Sequence, residues 1–415
     1  MNKYKAENNK RGAKYFSFTR KLYLFTFIYI LAFPGLFPAY GKSIWEGVDR
    51  IVVVGDIHGD YNQFVELLSS AGLISHRNKW IGGDTHLVQL GDVPDRGPDT
   101  LKIIGFLKKL EIQAKRAKGY VHLLIGNHEA MNVYGDLRYV HPGEFEAFTR
   151  SQSKDLRDFV YKNTIEAIKT SLPVDEWPSF DEDFKLTWER EHPLGFIEHR
   201  WEWEPDGSIG EWVCEHNAVI KIDDFLFLHG GVGPKYADWS IKKLNEQIQA
   251  ELKDKQLKKK ILVVDEDGPL WYRGLAQHAE SEESIHLENL LERHGVKRIV
   301  IAHTTTDGTV IPRFNGRVIL IDVGLSKAYG GRQACLLIEG DEVFTLHRGN
   351  KLPLPTDSGV GLLNYLRQAA ALDPQPSPLL KMIAELEMKL TEQSQEPVSH
   401  LDIYRESDAA AYSGH

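Results

Sequence analysis

Three apolar runs in the first third of the chain are each followed by a glycine and then by an acid or an amide. They are Arg50–Val54 before Gly55-Asp56, His86–Leu90 before Gly91-Asp92, and Val121–Ile125 before Gly126-Asn127. Their β-branched and aliphatic residues predict strands, and the stretches between them have apolar residues at helical spacing. Strands that alternate with helices predict an α/β fold with parallel strands, in which ligands bind beyond the carboxyl ends of the strands.

Two later predicted strands end in histidine, at His229-Gly230-Gly231 and at Ala302-His303-Thr304. Together the strand ends supply six candidate metal ligands: Asp56, His58, Asp92, Asn127, His229 and His303. Carboxylate and imidazole groups suit divalent or trivalent first-row metals. We predict a two-metal site in which Asp92 bridges, because its two oxygens can serve two ions. The first ion is assigned to Asp56 and His58, and the second to Asn127, His229 and His303.

The chemistry predicted at these strand ends suits a phosphate ester. Two cations about 3.5–4 Å apart lower the pKa of a bridging water and clamp both oxygens of an in-line displacement. Arg96 offers a planar fork of donors that matches phosphate oxygens. We expect His128 to protonate the leaving oxygen while Asp95 holds its imidazole. Arg273 is the candidate for a second phosphate-binding arginine, and a surface or structural arginine is the alternative.

The motifs G-D-x-H-G, G-D-x-x-D-R-G, G-N-H-E and H-G-G occur in this order and resemble those of the calcineurin-like metallophosphoesterases, in the phosphoprotein phosphatase branch. The segments 130–139, 268–274 and 321–326 resemble the Shewanella-like phosphatases of that branch. The resemblance implies two mixed β-sheets flanked by helices, two bound metals (Mn, Fe or Zn) and direct attack by a metal-bridging hydroxide without a phosphoenzyme. It also implies the ligand, arginine and proton-donor roles given above.

The resemblance implies a phosphoprotein or phosphopeptide substrate. Leu124-Ile125 precedes the G-N-H-E motif where the eukaryotic Ser/Thr phosphatases carry Leu-Arg, and their Ser-Ala-Pro-Asn-Tyr segment is absent from the sequence. Shewanella-like enzymes tend to favour phosphotyrosine, so phosphotyrosine is the first prediction and phosphoserine or phosphothreonine the second. A dinucleoside-polyphosphate hydrolase of the diadenosine-tetraphosphatase type is the alternative within the fold. A non-catalytic binding protein is the alternative outside enzymes, although every chemical position is filled.

The segment 131–212 interrupts the alternation of strands and helices and holds five of the nine tryptophans. We interpret it as a helical, tryptophan-rich cap inserted into a catalytic domain at 42–348; an ordinary packing subdomain is the alternative. Its two ends flank the predicted site, so we expect the cap to overhang the metals. Pro205-Asp206-Gly207 predicts a hairpin turn. Residues 349–415 are predicted to form an extension with one helix, Leu379–Leu390, and a mobile tail.

The first 41 residues hold seven bases and one acid, and Leu22–Phe33 is an uncharged apolar run. That run is too short for a comfortable membrane span and is typical of a signal-peptide core. We predict that residues 1–41 are a signal peptide and that the protein is exported, to the periplasm or outside the cell, with no stable membrane span after cleavage. An uncleaved membrane anchor is the alternative.

The net charge of −9 argues against general nucleic-acid binding. Two cysteines cannot form a four-cysteine zinc site. Cys214 and Cys335 are predicted to be small buried hydrophobes in strands, and a disulfide between them is the alternative.

Overall fold

The computed structural model describes residues 42–255 and 261–395. The predicted signal peptide and the part of the predicted tail after residue 395 lie outside these ranges. Within them, the strands are β1 (Ile44–Trp45), β2 (Arg50–Val54), β3 (His86–Gln89), β4 (Tyr120–Leu123), β5 (Val219–Ile222), β6 (Phe225–Leu228), β7 (Arg298–Ile301), β8 (Ile311–Arg313), β9 (Val318–Leu320), β10 (Ala334–Glu339), β11 (Glu342–His347) and β12 (Asn350–Pro353).

These described strands form two six-stranded sheets. The strand order is β12-β11-β10-β2-β3-β4 in the first sheet and β1-β5-β6-β7-β9-β8 in the second. Strands β2, β3 and β4 pair in parallel, as do β6, β7 and β9. By contrast, β10 pairs antiparallel with β2, and β8 pairs antiparallel with β9. Both sheets are therefore mixed, which confirms the predicted α/β fold.

Helices cover the sheets. The α-helices are Tyr61–Ser70, Thr100–Arg116, Asn127–Tyr134, Pro142–Ala147, Ser153–Ser171, Glu182–Glu191, Phe196–Trp203, Ser208–Cys214, Ile241–Lys253, Gly274–Gln277, Glu280–His294, Val360–Leu372 and Leu380–Gln395, and the short 3₁₀ turns are Val174–Glu176, Pro234–Tyr236 and Lys327–Tyr329. Thr100–Arg116 buries Ile103, Leu107 and Leu110 at helical spacing. The central strands are buried along nearly their whole length, as expected for parallel strands covered on both faces.

The segment 131–212 is helical wherever it has regular structure. The predicted hairpin at Pro205-Asp206-Gly207 is wrong, because this turn joins the helices Phe196–Trp203 and Ser208–Cys214. Trp188 and Trp203 are buried, and their rings contact His192 and His199 of the same segment, whereas Trp201 is exposed. Trp188 therefore packs within the insertion, whereas Trp203 also belongs to the main hydrophobic core of the fold.

The C-terminal extension differs from the prediction of a single helix, because two helices occur in its described part. The unpredicted helix, Val360–Leu372, lies inside residues 349–378, a stretch rich in proline, glycine and aspartate. Its Tyr365 hydroxyl donates to the Val310 carbonyl (2.9 Å) and lies 2.8 Å from the hydroxyls of Thr309 and Thr345. Buried polar groups therefore bond this part of the chain to the rest of the fold.

Both cysteines are buried and free. Cys335 lies in β10 as predicted, but Cys214 is the last residue of a helix rather than part of a strand. Burial raises the pKa of Cys214 to about 11 and that of Cys335 to about 12, so both are inert thiols. No helix among the described residues is both long enough and apolar enough to cross a membrane.

Candidate active site

The loops after the central strands approach each other so closely that only glycine fits at the contacts. A Cβ on Gly59 would lie 2.3 Å from the Gly97 carbonyl oxygen, and one on Gly97 would lie 2.6 Å from the Gly59 oxygen. A Cβ on Gly91 would likewise lie 2.4 Å from the Gly126 nitrogen. These glycine pairs bring the loops after β2, β3 and β4 together at one edge of the fold.

Several candidate site residues have backbone conformations that side chains rarely adopt. The φ angle is +46° at His58, +58° at Asp92, +62° at His303, +72° at Asp95 and +67° at Arg96. A non-glycine residue in this region costs of order 1–3 kcal/mol and persists only where its surroundings hold it. The concentration of such residues here marks the loop ends as a functional site.

Asp92 lies at the centre of the cluster. Its Oδ2 atom is 3.3 Å from Nε2 of His229 and 3.8 Å from Nε2 of His58. Asp56 Oδ2 is 3.7 Å from the same His58 nitrogen. The backbone carbonyl of Pro94 lies 3.1 Å from His58 Nδ1, so a proton on Nδ1 would leave Nε2 facing both carboxylates.

The remaining candidate ligands meet on the other side of Asp92. His229 Nε2 lies 2.8 Å from Asn127 Oδ1 and 3.1 Å from His303 Nδ1. His229 Nδ1 is 2.9 Å from the Leu90 carbonyl, which orients the ring. The structure thus brings all six predicted ligand side chains into one buried cluster.

The cluster contains two groups with the spacing of metal ligands. One consists of Asp92, His229 and His303, and the other of His58, Asp92 and His128. The sequence predicted Asp56, rather than His128, as the third member of the group that contains His58 and Asp92. Nε2 of His303 is buried and has no hydrogen-bond partner among the described residues. An unsatisfied imidazole nitrogen beside two buried carboxylates fits a metal cation.

The electrostatics agree with this donor set. Burial, and then the nearby Asp322 and Asp92, raise the pKa of Asp56 well above its usual range. Burial acts in the same direction on Asp92, but His229 and His128 outweigh it and hold the Asp92 pKa well below the usual range. Burial lowers the pKa values of His58 and His303. Neutral His58 and His303 beside an ionised Asp92 are in the protonation states that bind metal, whereas Asp56 would have to lose its proton when a cation binds.

His128 and Asp95 form the predicted pair. Nδ1 of His128 lies 2.5 Å from Asp95 Oδ2, and Asn132 Nδ2 donates to the other Asp95 oxygen at 3.0 Å. Although burial opposes the shift, Asp92 and Asp95 raise the pKa of His128. A charged imidazole with its ring held on one side can donate a proton from Nε2 on the other.

The two predicted arginines have different surroundings. The Arg273 guanidinium donates to the His303 carbonyl (2.6 Å) and to the Thr304 hydroxyl (2.9 Å), so it lies beside the second ligand group. Arg96 is exposed, and its guanidinium carbon lies 4.0 Å from the ring centre of Tyr139.

Sequence reasoning assigned no role to several residues that organise the site. The Glu129 carboxylate accepts the backbone N–H groups of Asp92 (2.9 Å) and Val93 (2.7 Å) and so fixes the loop after β3. The ring of Tyr139 packs on His128, and that of Tyr329 packs on His58. Glu129 is part of the G-N-H-E motif, and Tyr139 lies in a segment that resembles the Shewanella-like phosphatases, so these two had a sequence signal.

Comparison with known proteins identifies the family of the chain. The calcineurin-like phosphoesterase family matches residues 49–307. An uncharacterized protein of Schizosaccharomyces pombe is 32% identical over 320 residues, covering 73% of this chain and 82% of that protein. Shewanella-like protein phosphatase 2 of Arabidopsis thaliana is 31% identical over 301 residues, covering 69% of this chain and 74% of that protein.

A solved structure also resembles this one across most of both chains. The cold-active protein-tyrosine phosphatase of a psychrophile Shewanella sp. superposes with a TM-score of 0.57 at 28% identity, covering 76% of this chain and 82% of that chain. The family match spans more than half of the sequence and includes the strand ends that carry the site. The chain is therefore a member of the calcineurin-like phosphoesterase family, a metal-dependent phosphatase related to the Shewanella-like protein phosphatases.

Proposed function

We propose that this protein is a two-metal phosphomonoesterase that hydrolyses phosphoprotein or phosphopeptide esters, with phosphotyrosine favoured. The observation that carries the proposal is the buried cluster around Asp92, in which carboxylate, amide and imidazole donors lie beside the His128–Asp95 pair. The proposal assigns the first ion to Asp56, His58 and Asp92, and the second to Asp92, Asn127, His229 and His303. Bound there, the ions would activate a water and stabilise the charge on the phosphoryl oxygens.

The groups of the chain itself supply the proton and the positioning. In the proposal, His128 gives its Nε2 proton to the leaving oxygen, and Asp95 holds the ring and supports its positive charge. Arg273, held by the His303 carbonyl and Thr304, binds phosphate oxygens on one side. Arg96 binds others through its planar guanidinium, which stacking on Tyr139 keeps in place.

The preference for phosphotyrosine rests on two aromatic rings. Tyr139, from the cap, and Tyr329 are both half-buried and lie within 6 Å of the Arg96 guanidinium carbon, at 4.0 and 5.8 Å. A phosphate held by Arg96 would bring its ester group near these rings, and an aromatic ester gains more from contact with them than an alkyl ester does. The tyrosine phosphatase activity named for the Shewanella structure supports the same preference.

Metal-reconstituted turnover of three substrates, compared side by side, tests the proposal. We expect phosphotyrosine peptide to be hydrolysed fastest, phosphothreonine peptide more slowly, and dinucleoside polyphosphate slowest. A clear preference for the dinucleotide would replace the proposal with the polyphosphate hydrolase. Tight binding of phosphopeptide without turnover would favour the non-catalytic alternative.

We further propose export of the protein after cleavage near Gly41, as the charged and apolar pattern of residues 1–41 suggests. N-terminal sequencing of the protein from its host tests this. An intact N-terminus in the membrane fraction would favour the uncleaved anchor instead.

A further inference from the structure

The cap contacts the turn that carries Asp95 and Arg96 through two hydrogen bonds to its backbone. The Asp95 N–H donates to Oε1 of Glu144 at 2.7 Å, and the Arg96 N–H donates to the Tyr139 carbonyl at 3.1 Å. Both acceptors belong to the first segment of the cap. Pro98, just after the turn, packs so closely on Gly143 that a Cβ there would lie 2.6 Å from the Pro98 Cβ.

Glu144 is an unusual residue for this position. Only 1% of it is exposed, and it lies in the first turn of the short helix Pro142–Ala147. Burial and the nearby Asp95 raise the pKa of Glu144 well above its usual range, whereas the hydrogen bond from the Thr100 hydroxyl acts in the opposite direction. Burying a carboxyl group costs free energy unless hydrogen bonds offset it, so the contacts of this group indicate its role.

The contact of Glu144 points to that role. Asp95 and Arg96 both have a left-handed backbone, with φ of +72° and +67°. The buried Asp95 N–H needs an acceptor in this conformation, and Glu144 supplies it. The same turn directs the Asp95 side chain onto Nδ1 of His128 at 2.5 Å. Glu144 therefore acts on His128 through the backbone of Asp95.

We propose that Glu144 is a positioning residue for the His128–Asp95 pair, so that the cap forms part of the machinery that protonates the leaving group. This inference rests on the proposed function, in which His128 is the proton donor. Without the Glu144 acceptor, the Asp95 turn relaxes and the His128 ring loses its fixed partner. The cap would then influence the rate of the chemical step as well as the choice of substrate.

Three variants separate this role from a merely structural one. Glu144→Ala removes the acceptor, Glu144→Gln keeps an oxygen at the same place, and Glu146→Ala changes an exposed glutamate of the same helix. We expect Glu144→Ala to lower kcat for phenyl phosphate about 10–100-fold with KM nearly unchanged. This loss is smaller than the roughly 10²–10⁴-fold expected for complete loss of general acid catalysis, because His128 itself is still present. Dinitrophenyl phosphate, whose leaving group needs little protonation, should be affected much less. Glu144→Gln should restore the rate, and Glu146→Ala should match the wild type.

A second measurement does not depend on turnover. The proton between His128 and Asp95 should give a far-downfield NMR signal in the zinc-loaded protein, assigned by its loss in His128→Asn. We expect Glu144→Ala to abolish this signal and Glu144→Gln to retain it, with metal content unchanged. A wild-type signal and a wild-type ratio of the two substrate rates in Glu144→Ala would overturn the inference. Failure of the wild-type enzyme to hydrolyse any phosphomonoester would instead overturn the proposed function. The NMR comparison would then still show whether Glu144 holds Asp95 against His128.

Discussion

The backbone N–H of His128 donates to Oδ1 of Asp92 at 2.9 Å, which joins the proposed bridging ligand directly to the proposed proton donor. The other oxygen of Asp92 faces His229 and His58. One carboxylate thus fixes the start of the helix Asn127–Tyr134 and lies at the centre of the ligand cluster. A substitution that keeps the first contact and changes only the charge can separate these two roles.

Asp92→Asn is such a substitution. The amide oxygen can still accept the His128 N–H, but the side chain no longer carries the negative charge that two cations would share. We expect most activity to be lost and the metal content to fall below that of the wild type, as measured by elemental analysis and turnover on the same sample. Two metals per chain with a near-normal rate would contradict the bridging assignment.

His128→Asn tests the proton donor. We expect hydrolysis of esters with poor leaving groups to slow by roughly 10²–10⁴, the usual contribution of general acid catalysis. Activated aryl phosphates should be affected less, and the metal content should not change. Because His128 also lies with His58 and Asp92 in one group of possible ligands, an equal loss on both substrate types together with loss of metal would assign it a ligand role instead.

Tyr139→Leu and Tyr329→Leu test the aromatic contacts beside Arg96. We expect each change to lower kcat/KM several-fold more for phosphotyrosine peptide than for phosphoserine peptide, because only the aromatic ester would contact the rings. In Tyr139→Leu, the lost contact with Arg96 should add a smaller loss that is the same for both peptides. Trp177→Ala is a control, since this tryptophan bonds to Leu172 within the cap. Equal losses on both peptides would show that the rings support Arg96 or the fold rather than select the substrate.

His199 predicts a dependence of stability on pH. It is fully buried beside Phe145 and Phe148, and both ring nitrogens lack partners among the described residues. Burial, with a smaller contribution from Arg200, lowers its pKa from 6.5 to about 3. Below about pH 6.5 the unfolded chain takes up a proton that the folded cap excludes. The free energy of unfolding should therefore fall by about 1.4 kcal/mol per pH unit from this group until the pH reaches its folded pKa.

Urea unfolding of His199→Leu at pH 7, 6, 5 and 4 checks this contribution. The difference in stability between variant and wild type should shift in favour of the variant as the pH falls, whatever its value at pH 7. His76→Gln, at an exposed position, should show no such trend. A difference that stays constant with pH would contradict the assignment.

Tyr365→Phe tests the bond between the C-terminal extension and the catalytic domain. The change removes the hydroxyl from the Val310 carbonyl, Thr309 and Thr345 and leaves these buried groups short of a partner. We expect a loss of about 1–3 kcal/mol in the free energy of unfolding. A loss below about 0.5 kcal/mol, the usual size for a surface change, would mean that the extension contributes little to the stability of the domain.

The sequence predicted best the strands whose apolar residues form an uninterrupted run next to a turn. Arg50–Val54 is a strand with the predicted bounds, because its β-branched run is followed directly by Gly55-Asp56. The meeting of Asp56, Asp92 and Asn127 was also predicted, since parallel strand ends share an edge.

The failures have equally local causes. Pro205-Asp206-Gly207 has the residues of a hairpin, but apolar faces on both sides form helices that pack on each other. Val360–Leu372 was missed because the surrounding prolines and glycines hid its buried face at Leu363, Leu366 and Ala370. Only the contact from Glu144 to Asp95 has a non-local cause: it joins a helix to a loop 49 residues away in the sequence, so no pattern within either segment indicates it.

The attachment of the cap limits how it can be exchanged between relatives. In the first part of the cap, Tyr139 and Glu144 accept hydrogen bonds from the Asp95–Arg96 turn. In its later part, Arg200 donates to the carbonyl of Asn132 (2.5 Å), near the end of the helix that begins at Asn127. A chimera joined at residues 131 and 212 would remove all three contacts and disrupt the recipient's catalytic loop. An exchange confined to the stretch 154–194, with its exposed Phe159, Val174 and Leu186, would keep these contacts and the buried hydrogen bond from Ser153 to Glu198. Recombination within those limits could diversify the outer surface of the enzyme while its inherited chemistry stayed intact.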